Sequence, residues 1–194
     1  NIRKILIIKL GGLGDVVLST VIIASLRQYF SNARIEYFVE KAGAQAIVNN
    51  PEVSSVFVLD KATMGPLSVI SEIRKRKYDI VIDLFGNPRS AIITFLSGAK
   101  YRVGLDYGWR KYLYSIVGKA HRGELHGAEV NLQAVIALGI QPVSSKVQFP
   151  LSTDDKKFAD DFWKSNQLAG KTVVGILPAG SWQSKRCEPS KFAE

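Results

Sequence analysis

The sequence predicts an α/β protein built on a doubly wound parallel sheet, and three observations support this. Short, β-branched apolar runs alternate with segments of helical spacing along most of the chain. Several of these runs are apolar at consecutive positions, as in strands that are covered on both faces. The first run, residues 4–10, is followed by three glycines within four residues, which is typical of a tight strand-to-helix turn.

The order of the elements follows from the same patterns. We predict strands at 4–10, 34–39, 53–59, 78–84, 101–105, 146–151 and 171–177. Helices are predicted at 16–30, 42–48, 67–75, 88–96, 127–138 and 152–166, with another beginning near 189. The stretch 106–124 loses all periodicity and is basic and aromatic, so we expect a functional loop there. We place a first lobe at 1–168 and the truncated start of a second at 169–194.

Composition indicates where the protein is located and what kind of partner it binds. No apolar run reaches the roughly 18 residues of a membrane-spanning helix, and the first residues do not resemble a signal peptide. The single cysteine, Cys187, cannot form an internal disulfide, which is typical of a reducing compartment. We therefore expect a cytoplasmic protein, and the basic run 74–77 leaves open a peripheral position at the inner face of the cytoplasmic membrane. The net charge of +9 favours an anionic partner.

The first candidate site is the turn formed by residues 11–15. Gly12 and Gly14 fill two places of the dinucleotide-binding fingerprint, but Val17 stands where the third glycine belongs. No Gly-Lys-Ser/Thr sequence follows, which argues against a P-loop. Asp15 at this position could accept a proton from an activated hydroxyl. The structural alternative, a glycine turn with Asp15 capping its helix, stays open.

The second candidate is the loop after the predicted strand 171–177. Its backbone N–H groups, hydroxyls and cations converge where a helix begins, which favours a phosphate site. We assign that role to Gly180, Ser181, Lys185 and Arg186. The alternative is a solvated loop with surface charges.

A third set is basic. Together its members suit an acceptor that carries carboxylates or phosphates, although any one of them is more often a surface charge. The set is Arg89, Arg102, Arg110, Lys111, Lys119 and Arg122. No other typical metal ligands accompany His121 and His126 in a metal-binding pattern, so no metal site is predicted.

Four segments resemble glycosyltransferase family 9, the ADP-heptose:lipopolysaccharide heptosyltransferases. They are KILIIKLGGLGDV (4–16), YDIVIDLFGNPRS (78–90), LSGAKYRVG (96–104) and PAGSWQSKR (178–186). The family usually has Trp-Pro after the last segment, where this chain has Cys187 and Glu188. Family members are also longer than this chain.

The resemblance implies a GT-B architecture, in which two Rossmann-like lobes face a cleft. The N-terminal lobe would hold a lipid-linked, anionic sugar acceptor, and the second lobe an ADP-sugar. The implied reaction is inverting transfer of a heptose or similar sugar to the inner core of lipopolysaccharide. It needs no cofactor and no metal. Because most of the second lobe is missing, this chain alone is not expected to transfer sugar.

The resemblance also implies roles for individual residues. The aspartate that matches Asp15 is the expected general base, and Lys185 is expected at the donor diphosphate with Ser181 beside it. Acceptor-binding residues are expected at Gly11, Gly12, Leu13, Gly14, Asn87, Arg89, Arg102 and Arg110.

Two other classes of function remain. One is a non-catalytic Rossmann-like module that binds a nucleotide or phosphosugar. The other, less favoured, is a basic nucleic-acid-binding domain, for which the sequence offers only its charge and no zinc-finger or aromatic-basic repeat. We expect no nucleic acid as a partner.

Overall fold

The computed structural model describes residues 2–60, 62–121, 123–177, 180 and 186–192. Its contacts divide the chain into two compact units, Asn1–Leu151 and Ser152–Glu194. The division falls after Leu151, whereas we placed the lobe boundary at 168/169. That boundary stays a prediction.

The first unit is built on a six-stranded sheet in which every pair of neighbours is parallel. The strands are β1 (Lys4–Lys9), β2 (Arg34–Glu40), β3 (Ser55–Leu59), β4 (Ile80–Asp83), β5 (Tyr101–Leu105) and β6 (Ile116–Gly118). Their order across the sheet is β3-β2-β1-β4-β5-β6. This order reverses between β1 and β4, so the predicted doubly wound, Rossmann-like sheet is confirmed.

Helices connect the strands. In the first unit they are α1 (Leu13–Ser19), α2 (Ile23–Tyr29), α3 (Lys41–Ala44), α4 (Pro66–Lys75), α5 (Pro88–Leu96) and α6 (Gly127–Ala137), and 3-10 helices form at Thr20–Ile22 and Gly108–Leu113. The single helix predicted at 16–30 is wrong, because the 3-10 turn divides it. The hydroxyls of Ser19 and Thr20 donate to the carbonyls of Val16 and Val17, both at 2.7 Å, in competition with regular α-helical bonding.

The helices cover both faces of the sheet, and each face has its own core. On one face, α1, α2 and α6 pack on the sheet through buried residues such as Val16, Leu26 and Val135. On the other face, α4 and α5 contribute Val69, Ile73 and Ile93. Strand β1 is central and buried on both faces, which explains its unbroken apolar sequence.

In the first unit, one loop prediction and one strand prediction were wrong. The stretch 106–124, predicted as a loop, contains β6, which pairs with β5 along the edge of the sheet. Residues 146–151, predicted as a strand, form none. This segment is instead held by side chains beside the helices: Gln148 N–H donates to Thr20 Oγ1 at 2.7 Å, and Asn50 Nδ2 donates to Gln148 Oε1 at 2.7 Å.

The second unit contains α7 (Thr153–Ser165) and a 3-10 helix at Pro189–Phe192. A capping box begins α7, because the Ser152 hydroxyl accepts the N–H of Asp155 and the carboxylate of Asp155 accepts the N–H of Ser152. Residues 171–177, predicted as a buried strand, are exposed and form no strand. A strand is stable only beside another, and the described residues of this unit offer none to pair with it.

Candidate active site

The candidate site lies where the strand order reverses, at the carboxyl ends of β1 and β4. Ligands of open parallel sheets bind in the crevice outside this edge. The turn at 11–15 leaves β1 here, and residues 84–87 leave β4 beside it. Two chain segments that the sequence separates by about seventy residues therefore meet at one place, in accordance with the register that pairs Ile8 with Asp83.

Asp15 lies in the first turn of α1 and is exposed. Its Oδ2 accepts the N–H of Gly12 at 3.2 Å, so the aspartate does cap its helix. Its Oδ1 accepts no hydrogen bond from any described residue. The structural alternative, in which Asp15 caps its helix, is therefore confirmed, and its role as a proton acceptor stays a prediction.

Gly11 is essential to this position of Asp15. A Cβ at residue 11 would lie 2.7 Å from both Cβ and Oδ2 of Asp15, which is too close for any real contact. At Gly12, a Cβ would meet no heavy atom of the described residues within 4 Å. The first glycine is therefore required by the close approach of Asp15, while the second has open space beside it.

Lys9, at the end of β1, links the two segments of the site. Its Nζ donates to the carbonyl of Leu84 at 2.9 Å. Burial lowers the pKa of Lys9, and the negative charges of Asp15 and Asp83 oppose that shift. A half-buried cation thus lies within electrostatic reach of both carboxylates. The sequence analysis did not select Lys9, although a lysine that ends an apolar central strand is an unusual choice.

Asp83, the last residue of β4, is completely buried and was also missed. Its Oδ1 accepts the N–H groups of Phe85 and Gly86 at 3.0 and 2.9 Å. Its Oδ2 accepts the hydroxyls of Ser90 and Tyr114, both at 2.8 Å. Burial raises the pKa of Asp83, and these four hydrogen bonds oppose the shift. The carboxyl group thereby fixes the loop that leads into α5, where Asn87 and Arg89 lie.

Asn87 is the N-cap of α5. Its Oδ1 accepts the N–H of Ser90 at 2.8 Å, while the Ser90 hydroxyl accepts the N–H of Asn87 at 3.1 Å. The carbonyl end of the Asn87 side chain is thus occupied within the helix cap.

Arg89 follows in the first turn of α5. Its Nη2 lies 3.4 Å from Oε1 of Glu40, at the end of β2. Its Nε is buried and has no hydrogen-bond partner among the described residues. Arg89 also lines a cavity of about 400 Å³ whose walls are mainly apolar, including Leu59, Met64 and Ile93. An anionic group that enters there would meet a guanidinium with unused hydrogen-bonding capacity.

The other two predicted acceptor arginines lie at opposite ends of β5. Arg102 is the second residue of β5, and its guanidinium donates to the carbonyls of Ala99 at 3.0 Å and Leu113 at 3.4 Å. Arg110 lies in the 3-10 helix after β5, 5.9 Å from the ring centre of Tyr107. Its Nε is buried without a partner among the described residues.

The predicted phosphate loop lies in the second unit. Ser181 and Lys185 fall outside the described residues. At the two described ends of the loop, Arg186 Nε donates to the carbonyl of Gly180 at 2.7 Å. The described residues contain no group of three or more His, Cys, Asp or Glu side chains that could hold a metal ion. None of the described helices combines the length and apolar composition needed to cross a bilayer.

The sequence profile of glycosyltransferase family 9 (heptosyltransferase) matches residues 67–194. The chain belongs to this family. Among curated relatives, lipopolysaccharide heptosyltransferase 3 of Escherichia coli K12 is 24% identical over 161 residues, which cover 78% of this chain and 45% of that protein. The chain spans less than half the length of the curated relatives that it matches first.

Solved structures show the same fold. A family 9 glycosyltransferase from Veillonella parvula superimposes with a TM-score of 0.81 at 23% identity, covering 98% of this chain and 57% of that one. The E. coli heptosyltransferase WaaC, solved with ADP, gives a TM-score of 0.63 at 19% identity and covers 92% and 67% of the two chains. The expected family and fold class are confirmed.

Proposed function

We propose that this family 9 chain is the acceptor lobe, with the first part of the donor lobe, of a heptosyltransferase. The proposed enzyme transfers a heptose or similar sugar from an ADP-sugar to the inner core of lipopolysaccharide. The observation that carries this proposal is the position of Asp15, an exposed carboxylate at the reversal of the sheet in a chain of this family.

The proposed reaction is a single displacement at the anomeric carbon. Asp15 takes the proton from the attacking hydroxyl of the acceptor as the new glycosidic bond forms and the bond to the diphosphate breaks, which inverts the anomeric centre. Gly180, Ser181, Lys185 and Arg186 stabilise the departing nucleoside diphosphate. No cofactor and no metal ion take part.

The acceptor is anionic and lipid-linked in this proposal. Residues 11–14 and Asn87 border the acceptor hydroxyl, and Arg89 pairs with an acceptor carboxylate or phosphate beside the cavity that it lines. The ion pair between Arg89 and Glu40, at 3.4 Å, supports a role for this guanidinium in binding carboxylates. Such a protein works in the cytoplasm, at the inner face of the membrane that holds its acceptor.

The test compares two carboxylate variants in the protein expressed from its complete reading frame. Asp15→Asn keeps the shape of the side chain but removes the base, so we expect kcat to fall about 10²–10⁴-fold. Glu129→Gln is the matched control, because Glu129 also caps a helix by accepting the N–H of His126 at 2.9 Å. It should transfer sugar at the normal rate.

The assay uses ADP-heptose with a lipid-linked acceptor and follows the glycosylated product. Near-normal turnover by Asp15→Asn would overturn the role of Asp15. Binding of the ADP-sugar without any product would instead favour the non-catalytic module.

A further inference from the structure

The outward face of α5 is apolar, which is the reverse of an ordinary surface helix. Its hydroxyl-bearing residues, Ser90 and Thr94, are buried, while Ile92, Phe95 and Leu96 are 44%, 48% and 37% exposed. Positions 92, 95 and 96 share one helix face, because residues three and four apart are neighbours on the helix surface. A surface helix normally turns such a stripe inward and polar groups outward. Folding of the first unit therefore does not account for this face.

The 3-10 helix Gly108–Leu113 packs beside α5 and extends the exposed apolar surface. Trp109 is 54% exposed and Tyr112 is 78% exposed. We name the combined surface the α5 patch. It consists of Ile92, Phe95, Leu96, Trp109, Lys111 and Tyr112.

Cations lie within the α5 patch and beside it. The ammonium of Lys111 lies 5.2 Å from the ring centre of Tyr112, and the guanidinium of Arg102 lies 5.8 Å from that of Phe95. Over residues 84–123, the sequence has seven lysines and arginines and a single acidic residue, Asp106. With Lys111 and Arg102 beside its exposed apolar side chains, the α5 patch is therefore suited to a partner that is both apolar and negatively charged.

We infer that the α5 patch docks on an anionic lipid bilayer. Tryptophan and tyrosine favour the level of the headgroups, aliphatic and phenyl side chains enter the acyl boundary, and lysine and arginine pair with lipid phosphates. A protein partner is less well matched, because the cores of protein interfaces are depleted in lysine. The inference extends the proposed function, since a lipid-linked acceptor requires the enzyme at a bilayer, and α5 begins beside Asn87 and Arg89.

Vesicle flotation tests the inference with the protein expressed from its complete reading frame. We expect it to float with vesicles of phosphatidylcholine and phosphatidylglycerol, more weakly with phosphatidylcholine alone, and less at high salt. The double variant Phe95→Ser/Trp109→Ser should lose at least about tenfold in partitioning. Lys111→Glu should lose binding to the anionic vesicles only. Both changes are at exposed positions, so unchanged unfolding midpoints verify that the variants fold.

The matched control is Tyr29→Ser. Tyr29 is 64% exposed on α2, and α2 covers the opposite face of the sheet. This variant should bind vesicles like the unaltered protein. Equal partitioning of the double variant and the control would overturn the inference, as would failure of the unaltered protein to bind anionic vesicles.

Two further results would also overturn it. One is a dimer in sedimentation that the double variant abolishes, which would make a second copy the occupant of the patch. The other is protection of residues 92–96 from hydroxyl-radical labelling in the complete protein without vesicles, which would mean that its own chain covers them.

An enzymatic comparison separates this inference from the proposed function. With a water-soluble, delipidated acceptor, the double variant should transfer sugar at the normal rate. With an acceptor embedded in vesicles, it should be at least about tenfold slower. If the unaltered protein transfers sugar to neither acceptor, the proposed function fails, while the flotation result still decides whether the α5 patch binds lipid.

Discussion

The hydroxyl of Tyr114 donates a 2.8 Å hydrogen bond to Oδ2 of Asp83, which fastens the segment after β5 to the end of β4. Both side chains are buried. A Cβ on Gly104 would lie 2.3 Å from two carbons of the Tyr114 ring. The ring therefore requires a glycine at position 104. This contact supports the loop that carries Asn87 and Arg89, although neither partner touches the proposed acceptor.

Replacing Tyr114 with phenylalanine should destabilise the protein. The change keeps the ring but leaves the buried Asp83 without one of its four donors, at a cost of about 1–3 kcal/mol in the free energy of unfolding. Urea unfolding measures the difference. Tyr112→Phe is the control, since Tyr112 is exposed, and it should stay within about 0.5 kcal/mol of the unaltered protein. Equal values for the two variants would contradict the supporting role of Tyr114.

The stability contributed by Asp83 should depend on pH. Burial raises the pKa of Asp83 in the folded protein, so folding favours its protonated form. The stability that the protonated carboxyl contributes is therefore present at low pH and is lost as pH rises through the raised pKa. Asp83→Asn cannot titrate. The advantage of the unaltered protein over Asp83→Asn should therefore shrink as pH rises from about 4. Urea unfolding over a pH series measures it, and an advantage that grows with pH would show that the pKa is lowered instead.

The sequence predicted the frame of the fold well because its signals are local. The apolar runs of β1 to β5 and the start of α5, with Asn87 before Pro88, are each visible within a few residues. Strand β6 was missed because it has only three residues and depends on pairing with β5, which no local pattern reveals. The apolar run at 171–177 misled in the opposite way, since it has strand composition without a described neighbour to pair with.

The candidate site was predicted in part for the same reason. Glycines before Asp15 are a local signal, and the structure places that turn at the reversal of the sheet. Lys9 was missed because its side chain bonds to Leu84, which is 75 residues away in the sequence. Asp83 was missed because its partner Tyr114 is 31 residues away. A charged residue that ends a buried strand is the signal that could have identified both.

Arg89 and Arg102, which the sequence grouped together, should differ in their effects. Arg102→Met removes a guanidinium that donates to two backbone carbonyls, so it should lower the free energy of unfolding by about 1 kcal/mol and leave the acceptor KM unchanged. Arg89→Met should raise the acceptor KM about tenfold, equivalent to roughly 1.4 kcal/mol of binding. Steady-state kinetics and urea unfolding on both variants test this. A raised acceptor KM for Arg102→Met would restore that residue to the acceptor site.

The sharpest test of the turn is a single methyl group at Gly11. In Gly11→Ala, the new Cβ would lie 2.7 Å from Cβ and Oδ2 of Asp15, so the aspartate must move although its own side chain is unchanged. A displacement of about 1 Å at a reacting group can cost about 10²-fold in rate, and we expect kcat to fall by that order.

Gly12→Ala is the matched control for this prediction. It adds the same methyl group one residue later, where the described part of the chain leaves 4 Å of open space and the backbone φ of −68° suits alanine. We expect Gly12→Ala to leave kcat near normal, so that any effect appears as a change in the acceptor KM. Combining Gly11→Ala with Asp15→Asn gives the decisive measurement, because a glycine that acts only through Asp15 adds little once the base is gone. Losses that multiply in the double variant would show that Gly11 serves the reaction by another route.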